Sequence, residues 1–169
     1  MKTVLFIRHA KSSWDQAGLA DIDRPLNERG KMTAPIMADI IASKGLTPDL
    51  IITSPAKRAR QTAKRFRKKY NIKKEDMQVE PSIYGGDEHH VLEILRKLPD
   101  SLSTVFLFGH NPTMNYLAAM FSTERLHVPT FGILITRHEI EHWSEFKPDQ
   151  KALIEFVYPK QFIPEEGED

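Results

Sequence analysis

The chain contains no cysteine, which excludes a disulfide framework, thiolate catalysis and any Cys-ligated metal site. Long apolar runs are missing too. The longest are strand-sized, far short of the ~20 residues that a membrane-spanning helix needs. No signal peptide is expected, because only Val4 to Ile7 is apolar before Arg8 interrupts. Net charge is nearly absent, +1 from 24 basic and 23 acidic side chains, so no global field favours nucleic acid. These absences lead to the expectation of a soluble cytoplasmic protein with neither membrane nor nucleic acid as partner. What is present is ordinary globular composition, 40% hydrophobic and 28% charged over 169 residues. That is enough chain for one domain with its own core.

Charge is unevenly spread. Lys57 to Lys74 is heavily basic and reads first as solvated surface, then as a docking face for an acidic or phosphorylated partner. No recognised motif or aromatic platform accompanies it, which argues against nucleic-acid binding. The final residues, from Glu165 to Asp169, are acidic and expected to fray. With no repeat or linker in sight, the prediction is a single domain over 1–162 followed by an acidic, flexible tail over 163–169.

The most informative stretch is Val4-Leu5-Phe6-Ile7-Arg8-His9-Ala10. A short apolar run rich in β-branched and aromatic residues reads as a buried parallel strand. Its C-terminal end, where open α/β sheets place their ligands, delivers a guanidinium and an imidazole. Arginine offers permanent planar charge suited to phosphate, and histidine a nucleophile or proton carrier near neutral pH. A lone strand-end histidine is more often a satisfied core or surface residue. Here a second run, Thr104-Val105-Phe106-Leu107-Phe108, ends the same way at Gly109-His110-Asn111-Pro112.

Between them strands and helices alternate. A loop from Lys11 to Pro25 carries Trp14 and three aspartates. Asn27 is a plausible N-cap for a helix through Ile41, in which Pro35 fits poorly and suggests a kink or a late start. Asp49 to Thr53 is the next strand, and Ser54-Pro55 reads as the cap and first position of a helix to about Tyr70. Met77 to Glu80 is a third strand, Asp87 opens a helix through Leu98, and a further helix follows Pro112. The last third, with strands at Phe131–Thr136 and Ala152–Tyr158 but no long helix between them, breaks the alternation. The fold class is therefore α/β: a three-layer α/β/α sandwich whose mostly parallel sheet carries an antiparallel edge strand.

Arg58 falls in the first turn of the helix after the second strand, so its head can lie over the same crevice as Arg8 and His9. The amides of the helix N-terminus favour an anion there. Two guanidiniums and two imidazoles converging without a counter-ion make little structural sense. Around a phosphoryl group they make good sense.

Arg8-His9-Ala10-Lys11-Ser12, Arg24-Pro25-Leu26 with Gly30, Ser54-Pro55 with Arg58, Gln61 and Thr62, and Gly109-His110-Asn111-Pro112 together resemble the histidine phosphatase superfamily, also called phosphoglycerate-mutase-like. The short length and the opening motif resemble its SixA-type phosphohistidine phosphatases. The resemblance runs from about Lys2 to Lys160, and four motifs in the expected order are specific where each alone is not. It implies that His9 is the nucleophile and carries a covalent phosphohistidine. Arg8, Arg58 and His110 would bind the phosphoryl oxygens, in a reaction class where positioning and electrostatics supply most of the catalysis. No metal or other cofactor is implied.

The family pattern fails at the general acid. Larger members place a carboxylic acid near the site, whereas the region from Glu80 to Asp87 offers only those two carboxylates, which read more simply as a strand-end residue and a helix cap. A missing acid suits a leaving group that is already good, such as the nitrogen of phosphohistidine. The expected partner is thus a phosphorylated protein. A small phosphomonoester is the alternative, and a non-catalytic phosphate-binding module a further one; mutase activity fits less well, since it needs a closed site. His138-Glu139-Ile140-Glu141-His142 matches H-E-x-x-H literally, but follows a strand pattern where zinc chemistry needs a helix. His89 and His90 decorate a helix start, Ser12, Ser13 and Ser54 lack a nucleophile-elbow context, and Trp14 and Tyr84 are candidate crevice walls.

Overall fold

Lys2–Arg8 forms the strand β1, and Val4, Leu5, Phe6 and Ile7 are all fully buried. Burial on both faces is why this segment reads as an unbroken apolar run and not an alternation. In this computed structural model, which describes residues 1–165, the chain continues through α1 (Glu28–Ser43), β2 (Leu50–Thr53), α2 (Lys57–Lys69) and β3 (Met77–Val79). It then forms α3 (Glu88–Arg96), β4 (Thr104–Gly109), α4 (Thr113–Phe121), β5 (Ile133–His138) and β6 (Leu153–Val157). The strands make one sheet in the order β3-β2-β4-β1-β5-β6.

The pairs β1/β4, β2/β4 and β2/β3 are parallel, while β1/β5 and β5/β6 are antiparallel. The strand that runs against the rest is thus β5, one place in from the edge. The edge strand β6 pairs antiparallel to it because the short β5–β6 connection holds no crossover helix. Alternate residues of β1 serve two cores. Val4 and Phe6 pack with α3 and α4 through Val91, Leu95, Leu117 and Phe121, and Leu5 and Ile7 pack with α1 and α2 through Met37, Ile41 and Phe66. The result is the three-layer sandwich expected. No helix among the described residues is long and apolar enough to cross a membrane.

Two local expectations are corrected. Helix α1 starts at Glu28, with Asn27 accepting from the Gly30 amide at 2.8 Å, and passes through Pro35 without ending. Pro35 lies on the exposed face, where the carbonyl it leaves unbonded can be hydrated. Helix α2 begins at Lys57 after Ala56, so Ser54 does not cap it. The Ser54 hydroxyl is turned instead toward His110. At the chain's end, Glu165 lies 3.8 Å from Lys160, and 166–169 of the expected acidic tail lie outside the described residues.

Candidate active site

The register of the two central parallel strands sets Arg8 opposite Gly109. The residues that follow, His9 and His110, therefore leave the sheet side by side, and their rings lie 5.2 Å apart between centroids. Helix α2 adds Arg58, whose Nε points at His9 Nε2 from 3.4 Å. All four residues predicted from sequence, Arg8, His9, Arg58 and His110, thus meet in one place. A crevice of about 330 Å³ opens beside them, lined by Arg8, His9, Ser12, Trp14, Arg24 and Thr130 among others.

Local packing holds each group. The Ala10 amide donates to Thr62 Oγ1, whose hydroxyl donates to the Arg58 carbonyl, so α2 is tied to the loop that carries His9. Gln61 Oε1 accepts from the Leu26 amide in the same way. Gly30 lets α1 close on that loop, because a Cβ there would stand 2.1 Å from the Lys11 carbonyl oxygen. The far side is braced by the turn before β5. Val128 O accepts from Arg8 Nη1 at 3.1 Å and from Asn111 Nδ2 at 2.8 Å. Phe131, at φ 60°, directs its amide to the His9 carbonyl at 3.0 Å.

Ring chemistry follows from these contacts. His9 Nδ1 donates to the Ala10 carbonyl at 2.7 Å, which leaves a lone pair on Nε2. Burial, helped by the nearby charges of His110, Arg58 and Arg8, lowers the pKa of His9 to about 3, so the ring is neutral and nucleophilic at neutral pH. Burial likewise lowers His110 to about 4. Ser54 Oγ accepts from the Ala56 amide at 3.2 Å and lies 2.7 Å from His110 Nε2. Ser54 is wholly buried, and among the described residues His110 Nε2 is the acceptor in reach of its hydroxyl hydrogen, so donation to Nε2 satisfies that hydrogen and assigns the proton of His110 to Nδ1. Among the described residues, His110 Nδ1 and Arg8 Nε are buried with no hydrogen-bond partner. Unsatisfied donors are rare inside proteins. Both belong to the cationic cup, which carries more polar groups than the protein's own partners satisfy.

The sequence of this chain matches that of the histidine phosphatase superfamily (branch 1) over residues 4–83. An uncharacterised protein of Mycobacterium tuberculosis is 31% identical over 165 residues, covering 91% of this chain and 100% of that protein. SixA of Agrobacterium tumefaciens, a solved structure, superposes with a TM-score of 0.78 at 31% identity, over 94% of this chain and 98% of that one. The chain belongs to the histidine phosphatase superfamily. Within it the match is to the SixA type, and the chain is a phosphatase. The protein histidine phosphatase SixA complexed with tungstate shares the fold at a TM-score of 0.71 and 24% identity, over 80% of this chain and 87% of that one.

One member of this phosphatase's site escaped the sequence. Asp21, in a short turn over Asp21–Asp23, sits over the cup. Its Oδ2 accepts from Arg58 Nη2 at 3.1 Å and Tyr84 Oη at 2.7 Å, and its Oδ1 from Arg24 Nε at 3.0 Å. Arg24 Nη1 also donates to Ser12 Oγ, and its guanidinium stacks 3.5 Å from the Trp14 ring centroid. Trp14 lines the crevice, as expected, whereas Tyr84 stands over His110, ring centroids 5.8 Å apart. Glu80 accepts from Ser82 Oγ, and Asp87 caps α3 by accepting from the His89 and His90 amides. Both keep the simple readings and neither touches the cup. The H-E-x-x-H segment is split: His138 is buried at the end of β5, 3.0 Å from Thr136 Oγ1, whereas His142 is exposed and paired with Asp100.

Proposed function

We propose that this phosphatase works through a covalent phosphohistidine on His9 and that its substrate is phosphohistidine in a protein. The observation that carries the reading is His9 Nε2, left unprotonated and held 3.4 Å from Arg58 Nε, beside two unpartnered polar atoms, Arg8 Nε and His110 Nδ1. His9 Nε2 attacks phosphorus in line; a P–N bond forms to His9 as the bond to the leaving nitrogen breaks, and the electron pair goes to that nitrogen. Water then attacks the phosphoenzyme, gives up a proton to solvent, and returns the pair to Nε2. Arg8, Arg58 and His110 bind the equatorial oxygens and offset their charge throughout. With three such donors, the phosphoryl group needs no metal ion.

The crevice is open, lined by exposed Trp14, and α2, which carries Arg58 into the cup, presents Lys57, Arg60 and Lys64 to solvent. That setting supports a protruding side chain on an acidic protein more than an enclosed metabolite. Turnover of a phosphohistidine protein, phosphoramidate and sugar phosphates, compared side by side with and without a chelator, tests the reading. The phosphohistidine protein is expected to be preferred, the chelator to be without effect, and His9→Ala to abolish turnover and the acid-labile phosphoenzyme. Preference for sugar phosphates would favour the phosphomonoester alternative, and binding without turnover a phosphate-reading module.

A further inference from the structure

We infer that Asp21 is a specificity-determining residue, whose carboxylate at the mouth of the cup accepts a hydrogen bond from the ring N–H of a departing imidazole. The inference rests on the reading above that the substrate is phosphohistidine, and it says how the site tells that substrate from a phosphate ester. The geometry is unusual for an anion-binding site. A carboxylate, its side chain 49% exposed, sits among the cations that are to receive a phosphoryl group, and occupies two of the Arg58 nitrogens through its backbone carbonyl and Oδ2. Like charge beside the cup opposes a phosphate dianion. It must therefore be offset by something the substrate brings.

Phosphohistidine brings it. In its protonated form the ring carries phosphorus on one nitrogen and a proton on the other, so the group next to phosphorus is a cation, and this is the form that the carboxylate would select. When the P–N bond breaks, the electron pair settles on the nitrogen that held phosphorus. The departing ring is then neutral and keeps its distal N–H, so no proton has to be delivered. A residue serving this step should be a fixed acceptor and not an acid. Asp21 meets that requirement. The hydroxyl of Tyr84 first, and then Arg24 and Arg58, hold its carboxyl well below the usual carboxylate range. Oδ1 takes one hydrogen bond, from Arg24, where Oδ2 takes two, so Oδ1 keeps a lone pair to offer. The absence of a carboxylic acid at Glu80 or Asp87 then needs no replacement, because the leaving group carries its own proton.

Two small substrates separate the possibilities. Phosphoimidazole leaves as an imidazole with a distal N–H, and p-nitrophenyl phosphate leaves as a phenolate with none. Asp21→Asn is expected to lower kcat/KM for phosphoimidazole about tenfold or more, the scale of one charge-assisted hydrogen bond. The same variant also alters the carboxylate that holds Arg58, so p-nitrophenyl phosphate turnover should change as well but by far less, and the ratio of the two kcat/KM values is the readout; inhibition by inorganic phosphate should tighten as the like charge is removed. Asp21→Glu, which keeps the anion, should retain part of the preference, with thermal melting confirming that both variants fold. An equal fall on both substrates would overturn the inference and make Asp21 a positioning residue for Arg58. An equal rise would make it a plug, and no change on either would remove it from function. Wild-type protein idle on phosphoimidazole but active on the ester would defeat the substrate reading itself, an outcome distinct from an active wild type whose ratio does not move in the variant.

Discussion

Ser54→Ala puts the proton assignment of His110 to the test. Ser54 is wholly buried, and its hydroxyl joins the Ala56 amide to His110 Nε2 at 3.2 and 2.7 Å. Removing it leaves a buried donor and a buried ring nitrogen unpaired, a cost of about 1–3 kcal/mol. For a domain of this size that corresponds to a fall in Tm of roughly 3–9 °C. The effect on catalysis is separate. Without the Ser54 hydroxyl nothing keeps Nε2 as the acceptor, and the proton of His110 is free to move there. Nδ1 would then turn a lone pair toward the phosphoryl oxygens. Loss of one oriented donor to a developing oxyanion costs on the order of 100-fold in rate, and partial loss of the correct tautomer somewhat less. The expected result is a kcat/KM lower by roughly 10- to 100-fold, with weaker inhibition by inorganic phosphate. Nitrogen-15 shifts of His110 should report a protonated Nδ1 in the wild type and a mixture in the variant. A variant that melts lower yet keeps kcat/KM within about twofold, or a wild type protonated on Nε2, would refute the reasoning.

Gly30→Ala should destabilise the protein by about 1–3 kcal/mol and weaken phosphate binding as well, because the new methyl meets the Lys11 carbonyl in the loop that carries His9; melting curves and phosphate competition would show both. Arg8→Lys should cost more activity than stability, since a lysine cannot supply the Nε donor that is unpartnered in the cup, and steady-state kinetics against melting separates the two. Stability should fall as pH drops. His9 and His138 are held by burial to about 3 and about 4, so below about 6.5 the unfolded chain takes up protons that the folded chain refuses. Each contributes up to about 2 kcal/mol of loss by about pH 5, readable in denaturant titrations, and a flat profile between pH 7 and 5 would contradict the burial of these rings. Phosphate binding should raise the pKa of His110 from its value of about 4, because an anion favours the charged ring; proton NMR titration with and without phosphate checks the direction.

The parts of this molecule that were legible in its sequence are those whose cause is local. Val4–Ile7 and Val105–Phe108 are buried on both sides, so they appear as short unbroken apolar runs, and the residues that end them name the site. Arg58 is placed by its distance from the end of β2. What stayed hidden depends on partners far away in the chain. Asp21 is one of three aspartates in an irregular loop, and only contact with Tyr84, 63 positions later, makes it special. Ser54 beside Pro55 carries a genuine local signal for a helix cap, and a tertiary partner, His110, outweighs it. Pro35 misleads for the opposite reason. Its cost depends on whether the freed carbonyl reaches water, which the helix pattern does not reveal. His138 and His142 match a motif by letter, but strand β5 extends to His138 and carries it into the core, between Phe121 and Phe146.

The turn from Val128 to Gly132 has a consequence for the order in which this protein becomes an enzyme. Every residue of the cup lies before Phe121, yet Arg8 and His9 are held by carbonyl and amide groups of Val128, Phe131 and Gly132. A ribosome that had released only the first 121 residues would have exposed both imidazoles and both guanidiniums without the clamp that aims them. Phosphatase activity should therefore switch on late in synthesis, when β5 slots in beside β1, and half-made chains in the cell should be chemically silent.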